Sequence, residues 1–333
     1  MTTAYRPGLV SVCCLSYNHA AFIEKCVRSI WAQEYRDIEI IAVDDGSKDN
    51  SAEVLFRLQE ESPFAMQVIA QENTGIVGKN FNNALKAATG EFVLFIALDD
   101  ELYPDAISSK IHEMMRDRRI AFIANSQITG IDSDNKTDAF APPLKLDSME
   151  FPTVDDLLAL EFEHFGAFYI QGTLIRKDIC DTVGGFDEDM TGDDIVLRTK
   201  IFLYVQDNPE FTFRIFHYPA CRYRVHESNV HKNSYRQMKI VAEYLERYWP
   251  GKKPPTIFDK WFYHSLQYSG WKEIGGLFRI NALTHSYWRK PMTWLNLARW
   301  PFWTPSYYLK FFLYRYLLQN RAKADKYAKR IAR

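Results

Sequence analysis

The first half of the chain alternates between short, continuous apolar runs and segments in which apolar residues recur every three or four positions. Continuous apolar runs are typical of strands buried on both faces, and the second spacing is typical of amphipathic helices. Strands that alternate with helices pair in parallel, so the pattern predicts an α/β, Rossmann-like, doubly wound and mostly parallel sheet. The predicted strands cover 9–15, 38–43, 66–70, 91–98 and 120–124, and the predicted helices lie at 22–31, from 50, at 81–88 and at 104–118.

The pattern becomes less regular after residue 125. Residues 126–150 lose their periodicity, which predicts a loop or an insertion before structure resumes near Thr153. Further strands are predicted at 168–175, 211–216 and 220–225, with a helix at 193–204.

From residue 235 the pattern is helical, and aromatic and basic residues become frequent. We therefore predict two domains, an α/β domain at 1–233 and a helical, aromatic-rich C-terminal extension at 234–333. Asn18 and Asn50 are expected to cap the helices that follow them, because asparagine favours that position.

The net charge of −1 predicts no partner, but the charge is unevenly distributed. Residues 281–333 contain 11 Lys and Arg residues and a single acid, Asp325, so the rest of the chain is acidic. An acidic body with a basic tail predicts that the tail contacts an anionic surface.

The five cysteines are odd in number and form neither a Cys-x-x-Cys motif nor a metal-ligand spacing. This favours a reducing compartment and argues against a disulfide scaffold or a zinc site. The first ten residues lack the basic and apolar regions of a signal peptide, and no run of 18 apolar residues occurs. We therefore expect a cytoplasmic protein without a membrane-spanning helix.

Three pairs of adjacent aspartates stand at predicted element junctions. Two pairs follow buried strands, so in a doubly wound sheet they would converge on one crevice. Crowded carboxylates need a cation or protons, and hard oxygen ligands select Mg²⁺ or Mn²⁺, typically beside a diphosphate. The alternative is that these residues are helix caps and solvated turns. The pairs are Asp44–Asp45, Asp99–Asp100 and Asp193–Asp194.

Short motifs follow the predicted elements in a fixed order: LSYN (15–18), VDDGS (43–47), NTG (73–75), GE (90–91), DDELYPD (99–105), VGGFD (183–187), DD (193–194) and YRVH (223–226). In this order they resemble the motifs of family 2 glycosyltransferases of the GT-A fold, over about residues 8–230. The resemblance implies a GT-A fold and a metal-dependent, inverting transfer of a sugar from a nucleoside diphosphate, with UDP as the expected nucleotide.

The resemblance assigns the donor side to the loops that follow the first, second and fourth strands. The nucleoside base is expected between residues 16–18 and Asp45. Asp99 is expected at the ribose, and Asp100 is the expected ligand of Mg²⁺ or Mn²⁺. The predicted donor-binding residues are Ser16, Tyr17, Asn18, Asp45, Lys79, Asp99 and His226. His226 is expected at the diphosphate or the metal, and the alternative is a solvated histidine.

On the acceptor side, the resemblance makes Asp194 the catalytic base. Gln171, Gly172 and Asp193 are expected to contact the acceptor. A carboxylate at a helix N-terminus stays ionised and can take the proton of an attacking hydroxyl, and Arg198 one turn on can orient it. A plain helix cap is the alternative for Asp194, and a buried turn is the alternative for Gln171 and Gly172.

Three positions depart from the family pattern. Ala97 stands where the first acid of a common D-x-D-D motif occurs, Asp193 stands in place of Glu, and Lys200 stands in place of Arg. The first departure supports an alternative function, a catalytically inactive nucleotide-sugar-binding or scaffolding protein. Arg222 and Arg224 are expected to steady phosphate charge.

The C-terminal extension interleaves aromatic residues with Lys and Arg, and residues 307–318 are mostly apolar. As a helix, that stretch would be about 18 Å long, too short for a hydrocarbon core of about 30 Å. Trp and Tyr favour the headgroup region and basic residues favour anionic lipid, so we expect peripheral attachment to the inner face of the cell membrane and a lipid-linked glycan acceptor. A helical subdomain packed on the body is the alternative. Nucleic acid is not an expected partner, because no nucleic-acid motif is present.

Overall fold

A computed structural model describes residues 5–132, 136, 146, 149–166, 168–226, 233–268 and 271–298 of the chain. The chain divides into two compact units, Met1–Asn229 and Val230–Arg333. Among the described residues, the first unit contains the strands of the sheet and the second unit is helical.

Eight strands form one sheet in the described part of the first unit: β1 (Arg6–Ser16), β2 (Ile38–Asp44), β3 (Ala65–Ala70), β4 (Gly90–Ala97), β5 (Glu101–Leu102), β6 (Ile120–Ile131), β7 (Leu174–Arg176) and β8 (Thr212–Arg224). Their order across the sheet is β3-β2-β1-β4-β7-β6-β8-β5. β1 runs parallel to β2 and β4, β2 to β3, and β6 to β8. β7 is antiparallel to β4 and β6, and β5 is antiparallel to β8. The sheet is thus mostly parallel, as predicted.

Seven helices accompany these strands: α1 (Ile23–Trp31), α2 (Ser51–Glu61), α3 (Val77–Ala87), α4 (Ser108–Arg116), α5 (Val154–His164), α6 (Lys177–Thr182) and α7 (Asp194–Asp207). The spacing of apolar residues along each helix explains which face of the helix is buried. α1, for example, buries Ile23, Cys26, Val27 and Ile30, which share one face of the helix. The five cysteines are free and buried, as expected for small core residues.

Of the two predicted asparagine caps, Asn18 does not cap α1, and Asn50 stands at the N-cap position of α2 but without a side-chain cap bond. Asn18 has a backbone φ of 57°, and its Oδ1 accepts a hydrogen bond from the Lys48 N–H at 2.7 Å, so it joins two loops. Asn50 makes no side-chain cap bond, and Asp49 accepts from the Ser51 N–H at 3.1 Å instead. Asn and Asp side chains bond nearby backbone groups in several geometries, and tertiary contacts decide which one forms.

The predicted loop at 126–150 is wrong at its start, because β6 continues to Ile131. Polar side chains in this part of the strand bond the neighbouring β8: Gln127 Nε2 donates to the His217 carbonyl at 2.9 Å. The polar groups are satisfied inside the sheet, so the sequence lacks the alternation of a half-buried strand.

The strands predicted at 211–216 and 220–225 form one strand, β8, which runs through Pro219. The register with β6 shifts beside this proline, because proline has no N–H for the ladder and is tolerated at bulges. The strand predicted at 168–175 is shorter than expected. Its end forms β7, and an isolated bridge joins Gln171 to β4.

The described part of the second unit contains α8 (Ser234–Tyr248), α9 (Thr256–Tyr268), α10 (Trp271–Leu277) and α11 (Ala282–Ser286), then a 3-10 turn at Tyr287–Arg289 and a helical segment at 291–298. Its core is aromatic. Phe258, Phe262, Phe278 and Tyr287 are buried, and the rings of Phe262 and Tyr287 lie 4.1 Å apart. The apolar stretch at 307–318 lies outside the described residues. None of the described helices is long and apolar enough to cross a membrane.

One lysine of the first unit lies in the hydrophobic core. Lys110 on α4 is fully buried among apolar neighbours that include Ile107 and Ile111, and its Nζ donates to the Ala106 carbonyl at 2.6 Å. Burial lowers the pKa of Lys110 to about 7, and the nearby Asp105 only partly opposes that change. The folded state therefore binds this proton much more weakly than the unfolded chain does.

Stability should consequently rise with pH between about 7 and 10.5, because the unfolded chain binds the Lys110 proton in this window and the folded chain does not. The slope should approach about 1.4 kcal/mol per pH unit. Lys110→Met should remove this slope and raise the free energy of unfolding at pH 7 by about 1–3 kcal/mol. Thermal unfolding across this pH range measures both effects. Lys25→Met on the exposed face of α1 is the control, and an identical slope in Lys110→Met would contradict the prediction.

Candidate active site

Side chains tie the loop after β1 to the loop after β2. Asp44 accepts two hydrogen bonds from Ser47, from its N–H at 2.9 Å and from its hydroxyl at 2.6 Å. Ser47 Oγ also accepts from the Asn18 N–H at 2.8 Å. The predicted base-binding loop therefore has a backbone that is fixed by the end of β2.

Ser16 and Tyr17 follow one another in this loop and differ in exposure. Ser16 is fully buried, and its Oγ has no hydrogen-bond partner. Tyr17 is 41% exposed, so its ring offers an accessible flat face. A flat aromatic face is a group on which a nucleoside base can stack.

Asp45 is engaged with the loop that precedes α3. Its Oδ1 accepts from the Thr74 N–H at 2.7 Å and from Gln71 Nε2 at 3.2 Å, and its Oδ2 lies 3.2 Å from the Gly75 N–H. The observed role of this carboxylate is to hold residues 71–75. Lys79 is exposed in the first turn of α3, next to this network.

Asp99 lies between two histidines. Its Oδ2 is 2.9 Å from His226 Nε2 and 3.7 Å from His19 Nε2. The His226 ring stacks on Phe22, with centroids 5.2 Å apart. Burial opposes the ionised form of Asp99, but the hydrogen bond with His226 and the charges of the two histidines hold its pKa below the ordinary value. His226 is thus a partly buried partner of Asp99, and the alternative of a solvated histidine is wrong.

Asp100 has one satisfied and one unsatisfied oxygen. It is 1% exposed, and its Oδ1 accepts from the Arg224 N–H at 2.9 Å, whereas its Oδ2 has no partner. Burial, and after it the charge of Asp99, raises the pKa of Asp100 well above the usual range. A buried carboxylate oxygen without a partner is unfavourable, so a cation at this point would be strongly stabilised.

Arg224 does not have the predicted role at phosphate. It is fully buried, and its guanidinium donates to the Asp99 carbonyl at 2.8 Å, to the Asp132 carbonyl at 2.8 Å and to Glu101. These bonds hold the segment that carries the second acidic pair, so the expectation for Arg224 is wrong. Arg222 remains partly exposed, and its Nη1 lies 3.6 Å from Glu101 Oε2.

Within the described residues, no group of three or more His, Cys, Asp and Glu side chains is arranged to hold a metal ion. Mg²⁺ at nucleotide sites is typically held by one or two carboxylates together with phosphate oxygens and water. The unpartnered Oδ2 of Asp100 is a hard oxygen ligand of that kind. The residues therefore fit a divalent cation that is shared with a diphosphate.

Asp193, and not Asp194, caps α7, because its Oδ1 accepts from the Asp194 N–H at 2.7 Å. Asp194 is the first helical residue. Its Oδ1 accepts from the Ile195 N–H at 2.7 Å, and its Oδ2 accepts from Arg198 Nη1 at 2.8 Å. The side chain is 33% exposed. The alternative of a plain cap is therefore wrong for Asp194, and the expected contact with Arg198 is present.

Arg198 has a second partner that sequence reasoning missed. Its Nε donates to Glu161 Oε1 on α5 at 2.7 Å, and both side chains are buried. Glu161 precedes Arg198 by 37 residues and belongs to another helix. No spacing or motif indicates the pair, because the packing of α5 on α7 brings it together.

Two tyrosines are within electrostatic range of both acidic sites. Burial raises the pKa of Tyr169 to about 12, and the charges of Asp194 and Asp100 add to the rise. Burial also raises the pKa of Tyr223, with further contributions from Asp100, Asp99 and Asp194. The two rings lie 6.0 Å apart. Tyr223 belongs to the YRVH motif, whereas no motif marks Tyr169.

The residues expected at the acceptor have mixed surroundings. Gln171 Oε1 is buried without a partner. Gly172 has a φ of 79°, and a Cβ there would lie 2.8 Å from the Ala220 Cβ, so its observed contacts are those of a buried turn. Lys200 donates to the Gly185 carbonyl at 2.7 Å and to Asp187 at 2.9 Å, which fixes the turn before α7.

The sequence is similar to known glycosyltransferases. The sequence model of glycosyl transferase family 2 matches residues 11–183. An uncharacterized glycosyltransferase of Nostoc sp. is 37% identical over 38% of this chain and 39% of its own length. The GalNAc(5)-diNAcBac-PP-undecaprenol beta-1,3-glucosyltransferase of Campylobacter jejuni is 36% identical over 30% of this chain and 32% of its own length. The chain thus spans less than half of the length of these relatives.

Solved structures share the fold at low sequence identity. Residues 1–349 of TarS of S. aureus, in complex with UDP-GlcNAc, have a TM-score of 0.56 and 17% identity, and the match covers 97% of this chain and 90% of that TarS chain. The mannosyltransferase PcManGT of Pyrobaculum calidifontis, in complex with GDP-Man and Mn²⁺, has a TM-score of 0.53 and 17% identity, with 85% and 83% of the two chains covered.

The family match begins inside β1 and extends to Val183, directly after α6, so it includes the loops that carry the first two acidic pairs. The solved structures share the overall fold of this chain. The chain therefore belongs to glycosyl transferase family 2 and has the GT-A fold.

Proposed function

We propose that the protein is a metal-dependent, inverting glycosyltransferase that transfers a sugar from a UDP-linked donor to a hydroxyl group of a glycan. One observation carries this proposal. Asp100 has a buried carboxylate oxygen without a partner among the described residues, and Asp194 has a carboxylate that Arg198 orients and that is 33% exposed. The chain thus offers both a ligand for a cation and a candidate general base.

On the donor side, Asp100 Oδ2 would hold the divalent cation, and Asp99, kept ionised by His226, would face the ribose. The chemistry that Mg²⁺ or Mn²⁺ supplies when bound is neutralisation of the leaving diphosphate. Tyr17 would stack on the nucleoside base, with Ser16, Asn18 and Asp45 shaping that pocket. The bound UDP-GlcNAc in TarS and the Mn²⁺ in the mannosyltransferase support this assignment by analogy of fold.

On the acceptor side, the Asp194 carboxylate would accept the proton of the acceptor hydroxyl while its oxygen attacks the anomeric carbon. The bond to the diphosphate breaks in the same displacement, which inverts the anomeric configuration. Asp194 suits this role because Arg198 and the Ile195 N–H orient it, while a third of the side chain remains accessible. Asp193, Gln171 and Gly172 would border the acceptor.

We propose a lipid-linked glycan as the acceptor and the cytoplasmic face of the cell membrane as the place of reaction. The similar Campylobacter enzyme is a glucosyltransferase named for a PP-undecaprenol-linked glycan, and residues 281–333 of this chain are strongly basic. In the second unit, Met292, Trp294 and Leu295 are exposed close together, which is unusual for large apolar side chains. Trp and basic residues favour the interface of an anionic bilayer.

A second candidate function, a catalytically inactive nucleotide-sugar-binding or scaffolding protein, rests on Ala97 in place of the first acid of the D-x-D-D motif. Titration calorimetry with UDP and an assay of UDP release from a panel of UDP-sugars separate the two functions. UDP binding without UDP release, at any donor and with any added glycan, would favour the scaffold.

Replacing Asp100 by Asn should remove the metal dependence of nucleotide binding, since the amide lacks the charge that attracts the cation. We expect the gain in UDP affinity caused by Mn²⁺ to disappear and sugar transfer to fall by roughly 100-fold or more. Titration calorimetry with and without Mn²⁺ measures the first effect. Asp207→Asn, at the exposed end of α7, is the matched control. An unchanged Mn²⁺ effect in Asp100→Asn would refute the metal role.

Asp194→Asn should preserve donor binding and abolish transfer, because the amide keeps the shape of the carboxylate but cannot accept the proton. A loss of transfer of about 10²–10⁴ is expected for removal of a general base, with a UDP dissociation constant within about twofold of the unaltered protein. Transfer at the original rate would require another residue as the base.

The double variant Trp294→Ser and Leu295→Ser should sediment less with vesicles of anionic lipid, because the exposed apolar side chains no longer enter the interface. Higher salt should also reduce the fraction of the unaltered protein that sediments with these vesicles. Phe56→Ser, which removes an equally exposed ring on α2, is the control. If the unaltered protein does not sediment with anionic vesicles at low salt, the membrane proposal is wrong.

A further inference from the structure

A buried ion pair joins α5 to α7 beneath Asp194. Glu161 is fully buried, and the Arg198 side chain is 4% exposed. Arg198 Nε lies 2.7 Å from Glu161 Oε1, and Nη2 lies 3.4 Å from Oε2. The Gly166 N–H donates to Oε2 at 3.1 Å. Both oxygens of the Glu161 carboxylate therefore have partners inside the protein.

Burial opposes the charged form of both members of the pair, and each member counteracts this effect on the other. Burial raises the pKa of Glu161, and Arg198 counteracts this rise. Burial works against the charged form of Arg198, but the carboxylates of Asp194 and Glu161 keep its pKa above the ordinary value. A buried ion pair of this kind is often no more stabilising than apolar residues of the same volume. Stability alone therefore gives no reason for its presence.

The backbone beside the pair is strained. Phe165, directly after α5, has a φ of 38°, and Gly166 has a φ of 72°. A residue other than glycine in this region costs on the order of 1 kcal/mol or more. The turn brings the Gly166 N–H onto the Glu161 carboxylate, so the strained geometry serves the hydrogen bonding of this buried group.

The Arg198 guanidinium lies between two carboxylates. Nη1 contacts Asp194 at 2.8 Å, while Nε and Nη2 contact Glu161. A guanidinium that contacted Asp194 alone would favour the ionised form of that carboxylate. The second carboxylate, Glu161 on the other side of the guanidinium, offsets this effect. Asp193 adjoins Asp194, and its Oδ1 accepts a hydrogen bond from the Asp194 N–H. The charge of Asp194 also adds to the raised pKa of Tyr169 and of Tyr223, which are uncharged near pH 7.

We propose that Glu161 is a positioning residue for the catalytic base: through Arg198 it holds the Asp194 carboxylate in place, and its charge balances the guanidinium that contacts Asp194. This inference rests on the proposed function, in which Asp194 accepts the proton of the acceptor hydroxyl. Glu161 itself is placed behind Arg198 and is fully buried. Without the charge of Glu161, Asp194 would face an uncompensated guanidinium.

The test is Glu161→Gln, which keeps the size of the side chain and removes its charge. Glu163→Gln, on the exposed face of the same helix, is the matched control. Carbon-13 NMR of aspartate-labelled protein, with the Asp194 signal assigned by its loss in Asp194→Asn, gives the titration midpoint of that carboxyl directly. We expect the midpoint to fall by about one pH unit in Glu161→Gln and to stay constant in Glu163→Gln.

Kinetics give a second readout, taken as UDP release from the UDP-sugar that the unaltered protein uses. Glu161→Gln should lower kcat by about 10- to 100-fold, leave the UDP dissociation constant within about twofold, and move the acidic limb of the kcat–pH profile to lower pH. A merely structural role would lower the melting temperature without moving the titration midpoint, and that result would overturn the inference.

The two proposals fail separately. If Asp194→Asn retains transfer, the proposed base is wrong whatever Glu161→Gln does. If Asp194→Asn is inactive and Glu161→Gln leaves both the midpoint and the pH profile unchanged, only the role of Glu161 is wrong. If Glu161→Gln does not fold, Glu161→Asp should still show a midpoint near that of the unaltered protein, because it retains the charge. A clear fall of the midpoint in Glu161→Asp would contradict the electrostatic role.

Discussion

The contact on which the candidate site depends is the buried guanidinium of Arg224. Three carboxylates follow one another at 99–101, and such a run would repel itself in a dry environment without a cation. Arg224 supplies the fixed positive charge, bonds the Asp99 carbonyl and Glu101, and offers its own N–H to Asp100. With these groups satisfied, one carboxylate oxygen of Asp100 is left over for a ligand.

Arg224 and Arg198 stabilise carboxylates in the same way but with different consequences. Arg224 is enclosed by backbone carbonyls and Glu101, so it holds a segment of main chain. Arg198 contacts Asp194 and Glu161 through two edges of one guanidinium, so it orients a side chain that stays partly exposed. The fixed fork of donors in arginine makes both arrangements geometrically defined, which lysine could not do.

The mixed sheet separates the two halves of the proposed reaction. The parallel strands β1, β2 and β4 end in the loops assigned to the nucleotide, as expected where ligands bind at the carboxyl ends of a doubly wound sheet. Tyr223 lies in β8, and Tyr169 precedes β7, the antiparallel neighbour of β4. In the proposed reaction the donor would rest on the loops that follow the parallel strands, and Asp194, at the start of α7, would serve the acceptor.

The sequence by itself determined the parallel part of the sheet, because buried strands and amphipathic helices leave local periodic signals in the chain. It also located the first two acidic pairs, since they lie at the ends of two of those strands. Local signals could not reveal the continuation of β6 or the single strand β8, where polar side chains and Pro219 are accommodated by a neighbouring strand. Likewise, only the tertiary structure decided that Arg224 is buried and that Glu161 meets Arg198. Contacts between residues far apart in the chain depend on how helices and strands pack, and no spacing in the sequence encodes them.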